Sequence, residues 1–422
     1  MAPNSNTSEP VKSEHSVRAW LTLLGAFSTS FCSVGFINAF GIFQEYYGSH
    51  QLREHSDFDI SWIGSFSVFA LFGGAPIAGV LFDRAGPTVL LIPGSLAMLV
   101  GVFMTSLCTE YYQFFLAQAL LLGSSMSFPL CAAISTVSRH FNKNKGLAMG
   151  ITIAGSSLGG VIWPITINEL LNRDGVSFGW TLRIVGFIML PLLILAVLTV
   201  DLPSGDKKRQ GHSSEQGNQV QQRKRRPVMV LVTNTTFLLL CAGLATCYLG
   251  MFSPFFYITS YAESTGHPVS FAFYLVSIVN AASLFGRILP GFLADRYGHF
   301  EICSLAALCS GIVAFCWTPV KSTAALVVWA LAYGFASGAI MSLQTACAAI
   351  LATPETQGTA LGFVMGSLAL SALFGTPISG QLVGTYGYLA LSMYAGSSLV
   401  AGSLLIFCAR LKFKGGLIHR HN

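Results

Sequence analysis

Long apolar stretches alternate with short polar ones along almost the whole chain. Each apolar run is about 20 residues long, the length at which a helix crosses a ~30 Å hydrocarbon core. The runs begin near residues 18, 60, 87, 113, 146, 179, 229, 269, 301, 323, 357 and 387. The pattern therefore predicts an all-α membrane protein with twelve transmembrane helices.

One extended polar stretch separates the first six runs from the last six. Residues 201–227 contain seven Lys and Arg residues around a Gln-, Ser- and Gly-rich middle, and they have too little apolar surface to fold alone. We expect this stretch to be a basic cytoplasmic linker between two six-helix bundles, 18–200 and 228–410. Residues 1–17 and 411–422 are then the cytoplasmic N-terminal and C-terminal tails.

Composition and charge agree with this interpretation. The chain is 53% hydrophobic and only 9% charged, whereas soluble domains have roughly 25% charged residues. With the N-terminus inside, 18 Lys and Arg residues fall on the cytoplasmic side and four on the other. The positive-inside rule thus predicts that both termini are cytoplasmic, in a multi-pass protein that we expect in the plasma membrane. The basic residues lie in short loops rather than on one face, which argues against nucleic-acid binding.

The eight-residue pattern G-x-L-x-D-R-x-G occurs twice, at Gly79–Gly86 and at Gly291–Gly298. The second copy starts 212 residues after the first, and each copy ends an apolar run. At the same offset, Gly146-Leu-Ala-Met-Gly150 matches Gly358-Thr-Ala-Leu-Gly362. Two matches at one offset indicate a duplicated six-helix unit, with both halves oriented the same way in the membrane.

This repeated turn is similar to the loop between spans 2 and 3, and between spans 8 and 9, of major facilitator superfamily transporters. Within that superfamily the chain resembles the monocarboxylate-porter family, particularly its fungal members. The resemblance rests on the run His140–Gly160 leading into span 5 and on the stretches 18–27 and 40–47 of span 1. The acidic-glycine start of span 1 that is usual in the family is absent here, since residues 14–17 read Glu-His-Ser-Val.

The resemblance implies two halves that rock about a central site, with the repeated turns latching neighbouring helices in one state. The residues expected in this gating role are Gly79, Asp83, Arg84, Gly86, Gly291, Asp295, Arg296 and Gly298. From the residues alone, the glycines permit close helix approach and a tight turn. The alternative is that the charges are ordinary loop charges flanking the bilayer.

Span 5 is rich in small residues, which predicts close packing against another helix, or a sliding seam between the halves. The residues expected at the packed face are Gly150, Gly155, Gly159 and Gly160. Drug/proton antiporters of the superfamily tend to carry Gly-Pro-x-x-Gly-Gly in this span. Here residues 155–160 read Gly-Ser-Ser-Leu-Gly-Gly, and the missing proline argues against that assignment.

Arg287 lies eight residues before Asp295, so a helix carries it about 12 Å into the membrane from the turn. A charged residue at that depth costs roughly 2.5–3.5 kcal/mol on insertion scales and needs a partner or a function. The resemblance implies that this arginine holds a substrate carboxylate, which its planar fork suits. Alternatively, Arg287 ties helices together through backbone carbonyls. Animal lactate carriers have an aspartate one turn earlier and a lysine in span 1, whereas here Ser283 stands at that position and span 1 has no lysine.

Several uncharged polar residues also lie within the apolar runs, and each either binds substrate or makes an interhelical hydrogen bond. Those expected to join Arg287 in the substrate site are Asn38, Gln118, Tyr248, Asn280 and Gln344. Asn280 lies two helical turns before Arg287 on the same face, so we expect both on the cavity side.

The sequence shows no site for chemistry other than transport. The ten cysteines are scattered without a C-x-x-C pair, which predicts no metal, and no cofactor is expected. No Walker A, H-E-x-x-H or nucleophile-elbow motif occurs, so the chain is not expected to be an enzyme. The nine histidines lie in loops or tails, and the acids nearest to the spans, Glu45 and Glu169, are at helix ends. A proton relay is therefore not visible, and coupling to protons and facilitated diffusion are both compatible with the sequence.

These observations predict a secondary active or facilitative transporter of a small, monocarboxylate-like organic anion. We expect it to work by alternating access and as a monomer in the lipid bilayer, with a small-molecule substrate and no nucleic acid as partner. The first alternative is an efflux carrier for a secondary metabolite. The second is a non-transporting nutrient receptor on a carrier scaffold.

Overall fold

The computed structural model describes residues 16–203, 231 and 233–418, and these residues are predominantly helical. Most of the expected tails and linker lie outside the described residues, as does the span start expected at 229. The helices form two groups, which are named here by their place in the chain. The first helical group comprises α1–α9, and the second helical group comprises α10–α16.

The first helical group runs from residue 17 to residue 199. Two of its segments include wider π-helical turns, Phe115–Leu122 between α6 and α7 and Glu169–Arg173 after α8. Its helices are α1 Val17–Cys32, α2 Val34–Ile37, α3 Phe40–Ser49, α4 Asp57–Ala85, α5 Thr88–Thr105, α6 Tyr111–Phe114, α7 Gly123–His140, α8 Lys145–Asn168 and α9 Phe178–Thr199.

The second helical group starts at residue 235. Its last helix, α16, is interrupted at Gly387, where the backbone leaves the helical region with φ 77° and ψ −177°. Its helices are α10 Thr235–Met251, α11 Ser253–Ser264, α12 Val269–Tyr297, α13 His299–Phe315, α14 Thr323–Leu351, α15 Gln357–Ser367 and α16 Ala369–Ile418.

Local sequence explains where the long helices α4 and α12 start and stop. Ser56 and Asp59 form a reciprocal capping box at the start of α4, with both backbone-to-side-chain distances at 3.2 Å. At the other end, Gly86 and Gly298 have φ values of 84° and 110°, which favour glycine over residues with a side chain. The last glycine of each G-x-L-x-D-R-x-G copy therefore ends a helix.

Within the described residues, ten helical segments are long and apolar enough to cross a membrane. Nine of them begin within three residues of an expected start, and the other begins at Thr235. Two of the twelve expected spans are not among these ten as separate segments. The helix His299–Phe315 is shorter than the rest, and the expected spans at 357 and 387 lie in one segment, Gln357–Phe413.

Several segments that the apolar pattern presents as continuous are broken part-way. The first segment breaks between α1 and α2 at Ser33 and between α2 and α3 at residues 38–39. The seventh breaks at Phe252, between α10 and α11. Apolar periodicity cannot register such breaks, because the residues on both sides are equally hydrophobic.

The two helical groups meet along two paired contacts. Helix α4 packs against α15, and α8 packs against α12. The loop between α7 and α8 joins both contacts, because Arg139 before it reaches Asp83, and Gly146 after it reaches Asp295. The end of the molecule at which α4 and α12 finish is called the motif end below, and the opposite end is called the cavity end.

Candidate functional site

A central cavity of about 220 Å³ lies between the two helical groups. Its rim, at the cavity end, includes the exposed residues Glu45, Glu263 and Val269. Its floor is Arg287, of which only 1% is exposed. The remaining lining residues are Asn38, Gly41, Ile42, Pro164, Phe252, Phe255, Phe256, Thr259, Phe273, Val276, Ser277, Asn280 and Met341.

Arg287 contacts neutral acceptors, all from neighbouring helices. One terminal nitrogen donates to the Ile153 carbonyl oxygen at 2.7 Å and to the Ser156 hydroxyl. The other donates to the Met341 sulfur at 2.8 Å, which is a weak acceptor. The Nε atom is buried and has no partner among the described residues, and no carboxylate there contacts the guanidinium. The floor of the cavity thus holds a cation whose hydrogen-bonding capacity is incompletely used.

Asn38 and Asn280 lie together in the same cavity, next to Gly160. A Cβ atom added at Gly160 would come within 2.6 Å of Asn280 Oδ1 and 2.8 Å of Asn38 Nδ2. Asn38 donates to the Ser156 carbonyl oxygen at 3.4 Å, and Asn280 donates to the Val276 carbonyl oxygen at 3.1 Å. The absence of a side chain at residue 160 leaves room for both amides.

The other three residues expected in the substrate site do not line this cavity. Tyr248 is buried, packs edge-on against Phe72 at 5.9 Å between ring centroids, and lies close to Gln344. The Oε1 atom of Gln344 is buried without a partner among the described residues. These two side chains lie in the packed interior, where Tyr248 meets the first helical group and is also near Arg287.

Gln118 lies apart from them, in the first helical group. Its Oε1 accepts a hydrogen bond from the Tyr47 hydroxyl at 2.7 Å, and its backbone carbonyl accepts one from Ser67. It lines a separate small pocket next to Phe36 and Phe40. Its contacts are those of an interhelical hydrogen bond, the alternative that the sequence left open.

At the motif end, Asp83 joins the first helical group to the first turn of α15. It accepts from the backbone N–H groups of Gly358 and Thr359, at 2.9 and 2.7 Å, and from the Thr359 hydroxyl at 2.7 Å. Arg139 on α7 donates to the same carboxylate at 3.0 Å. The unsatisfied N–H groups at a helix start, together with the helix dipole, make such a start a favourable place for an anion.

The second copy of the motif makes the equivalent contact with the roles of the two helical groups exchanged. Asp295 on α12 accepts from the N–H groups of Gly146 and Leu147 at the start of α8, at 2.7 and 2.9 Å. Its third contact is His299, whose Nε2 lies 3.1 Å away. Arg84 and Arg296, the arginines of the two motifs, are exposed and form no ion pair within the described part of the chain.

The motif glycines Gly79 and Gly291 are packed against glycines of the other helical group. A Cβ atom at Gly79 would clash with the carbonyl of Gly358, and one at Gly291 with the carbonyl of Gly146. In α8, Gly150 contacts the backbone of Arg287 in the second group, whereas Gly155 and Gly159 contact α1 within their own group. The small-residue face of this helix therefore packs closely both against the other helical group and within its own group.

The sequence pattern did not identify the aromatic part of the cavity. Phe252 lies at the break between α10 and α11, Phe255 and Phe256 lie in the first turn of α11, and Phe273 comes from α12. The available signal was the stretch Gly250-Met-Phe-Ser-Pro254, where a glycine and a proline flank the break. Irregular backbone at membrane depth is tolerated where it lines a cavity.

A helical bundle in two groups with a central cavity between them is an architecture typical of membrane transporters. A sequence-family model described as Major Facilitator Superfamily matches residues 22–376. The chain belongs to the Major Facilitator Superfamily and is an integral, multi-pass membrane protein.

Similar sequences cover nearly the full length of the chain. An MFS-type transporter of Aspergillus fumigatus is 48% identical over 96% of this chain and 94% of its own. The agnestins efflux protein of Paecilomyces divaricatus is 50% identical over 97% and 92%, and the aspyridones efflux protein of Emericella nidulans is 39% identical over 97% and 81%.

Solved structures share the fold at low sequence identity. The fucose:proton symporter of Escherichia coli superimposes with a TM-score of 0.70 at 14% identity, covering 92% of this chain and 98% of that one. A human organic anion transporter also gives 0.70, at 13% identity, covering 94% and 100%. At these identities the likeness concerns the fold alone.

Proposed function

We propose that this chain exports an organic metabolite that carries an acidic group, by alternating access to the central cavity. The observation that carries the proposal is Arg287 at the cavity floor, buried and without a carboxylate partner among the described residues. Such a cation binds an anionic group of a ligand more strongly than it binds carbonyl or thioether acceptors. Two of the relatives are named as efflux proteins, which supports export as the direction.

The shape and chemistry of the cavity favour a metabolite larger than a simple monocarboxylate. Four phenylalanines contribute to its walls, with Arg287 at the floor and the Asn38 and Asn280 side chains next to Gly160. Ligand sites of this kind bind mostly through apolar contact, while a small number of polar groups fix the ligand's orientation. The efflux alternative therefore fits the cavity better than the transport of a small monocarboxylate.

The proposed carrier has twelve crossings, with both termini cytoplasmic. The segment Gln357–Phe413 would be about 85 Å long if straight, far more than the ~30 Å hydrocarbon core, and Gly387 interrupts it. Two crossings in this segment, together with His299–Phe315, make twelve. In this orientation the motif end is cytoplasmic, and the contacts of Asp83 and Asp295 hold it closed while the cavity faces outward. We place the carrier in the plasma membrane, where it acts as a monomer.

Export can be tested by comparing metabolites inside and outside cells with and without the protein. The native substrate should accumulate inside cells that lack the carrier, and reintroduced wild-type protein should restore its release. Arg287→Gln should lower release by roughly 10- to 100-fold, as expected for the loss of a hydrogen bond to a charged group.

Arg183→Gln is the matched control, because it removes the same charge at a site that stacks over Trp180 and does not line the cavity. Both variants are compared at equal amounts in the plasma membrane. Release by Arg287→Gln equal to that of the control would contradict the proposed role of this arginine.

Uptake of a small monocarboxylate is the second candidate, and the resemblance to monocarboxylate porters together with Arg287 favours it. Radiolabelled lactate, pyruvate and acetate should then enter cells faster when the protein is present, with the same dependence on Arg287. No change in their uptake, together with intracellular accumulation of a larger acid in cells lacking the protein, would decide for export.

A further inference from the structure

The two cavity asparagines present the same kind of atom to a ligand. Asn38 and Asn280 each use the amide nitrogen to donate to a backbone carbonyl, of Ser156 and Val276 respectively. The hydrogen-bond partners thereby fix which side of each amide carries the oxygen. Neither oxygen has a donor among the described residues, so both are available as acceptors in the cavity.

These acceptors and the cation are close enough for one ligand to contact both. The Cα atoms of Asn280 and Arg287 are separated by a rise of about 10 Å on one face of α12, and the Arg287 side chain extends toward Asn280, because helical side chains point toward the helix N-terminus. Ser156 lies between the two groups, because its hydroxyl accepts from Arg287 and its carbonyl accepts from Asn38. A ligand that binds both groups therefore needs a hydrogen-bond donor in addition to its acidic group.

Aromatic side chains also line this cavity. Phe252 lies at the break between α10 and α11, Phe255 and Phe256 lie in the first turn of α11, and Phe273 lies on α12, seven residues before Asn280. Aromatic side chains contact planar rings favourably in offset-stacked or edge-to-face geometry. The cavity thus offers a cation, a pair of acceptors and aromatic walls.

We propose that the substrate is a hydroxylated aromatic acid whose acidic group binds Arg287 and whose hydroxyl donates to the amide oxygen of Asn280 or Asn38. This inference rests on the proposed function and narrows its substrate to a class. It makes the two asparagines specificity-determining residues, because a ligand without the hydroxyl leaves these acceptors unpaired when it displaces water.

The test uses purified full-length protein in lipid nanodiscs and synthetic probes. The first probe, 4′-hydroxybiphenyl-4-carboxylate, separates its carboxylate from its hydroxyl by two rings, and biphenyl-4-carboxylate lacks the hydroxyl. We expect the hydroxylated probe to bind roughly five- to tenfold more tightly by calorimetry, the value of one hydrogen bond.

In the double variant Asn38→Leu, Asn280→Leu the affinity ratio of the two biphenyl probes should fall to about one. Gln381→Leu, which removes an exposed amide outside the cavity, should keep the wild-type ratio. Asn280→Ala supplies a smaller truncation, and thermal unfolding together with gel filtration verifies the folding of each variant. The comparison of probe affinities for the wild-type protein tests the inference even where a variant does not fold.

Three results would overturn the inference: equal binding of the two biphenyl probes by wild-type protein, an unchanged ratio in the folded double variant, or no binding of either probe. None of these results alters the cellular test of export, which depends on the native metabolite and on Arg287→Gln. Conversely, release that Arg287→Gln leaves unchanged would contradict the proposed function, whatever the probe ratio.

Discussion

At the scale of single residues, the cavity depends as much on a missing side chain as on the polar ones. Gly160 lies where any Cβ would meet Asn280 Oδ1 at 2.6 Å and Asn38 Nδ2 at 2.8 Å. The side chain of Arg287 is likewise held by neighbours of modest acceptor strength, which leaves it able to exchange them for a ligand. Each of these contacts involves residues far apart in the chain.

We predict that Gly160→Ala lowers the rate of export several-fold, because the added methyl group displaces both amides from the cavity wall. Overpacking of this kind typically costs about 1–3 kcal/mol, so the protein should still fold. The control is Gly384→Ala, where the added Cβ meets nothing within 4 Å. The measurement is initial efflux of the native metabolite at matched expression, and equal rates for the two variants would show that the amide positions do not matter.

At the scale of secondary-structure elements, the duplicated turn produces two contacts that differ in strength. In each, a carboxylate at the end of one long helix binds the first turn of a helix in the other group. Asp83 also accepts from Arg139, of which only 6% of the side chain is exposed, whereas the third partner of Asp295 is His299. Removing the carboxylate partner of a buried guanidinium leaves that guanidinium without its ion pair, which is strongly unfavourable.

We therefore predict that Asp83→Asn opens the motif end more than Asp295→Asn does. The first change leaves Arg139 buried without its carboxylate, and should shift the population toward the open motif end by roughly 10- to 100-fold. The second removes contacts to two backbone N–H groups and a histidine, and should shift it less. Electron-electron distances between spin labels at positions 85 and 355, in a background without native cysteines, report the populations.

The matched control for this comparison is Asp59→Asn, which alters a capping carboxylate at the opposite end of α4. It should leave the labels at the motif end at their wild-type separation. Equal shifts from Asp83→Asn and Asp295→Asn would mean that Arg139 adds nothing to the closed state.

At the scale of the whole molecule, the number of crossings depends on how the last long segment is divided. Gly387 interrupts the segment about 30 residues after it begins at Gln357, which is enough chain for one tilted crossing before the break. The exposed Tyr386 next to the break then lies at the cavity end, together with the loop that contains Glu54. Twelve crossings would bring residues 386 and 54 to the same side of the membrane.

We predict that single cysteines at Tyr386 and Glu54, in a cysteine-free background, react with a membrane-impermeant maleimide added to intact cells. A cysteine at Glu355, in the loop before α15, should react only after the cells are permeabilised. Protection of position 386 in intact cells would contradict the division at Gly387, and labelling of position 355 from outside would contradict the orientation.

Much of the architecture could be predicted because it follows from local properties of the chain. Apolar run length, the motif glycines and the 212-residue offset are visible without any tertiary contact. Site residues were harder, as Gln118 and Asn280 show. Both are polar and lie within apolar runs, yet Asn280 lines the central cavity, whereas Gln118 hydrogen-bonds to Tyr47 beside a separate small pocket. Their residue type and their position within an apolar run are alike, so neither property distinguishes the cavity residue from the other.

By itself, the sequence determined the helical membrane class, the repeat and the superfamily, because hydrophobic length and turn chemistry act within a few residues. The tertiary structure decided that Asp83 binds the start of α15, that Asn38 and Asn280 share a cavity with Arg287, and that four phenylalanines form its wall. These features depend on how helices from two halves pack and where they break, and such contacts between distant residues leave no periodic trace in a single chain.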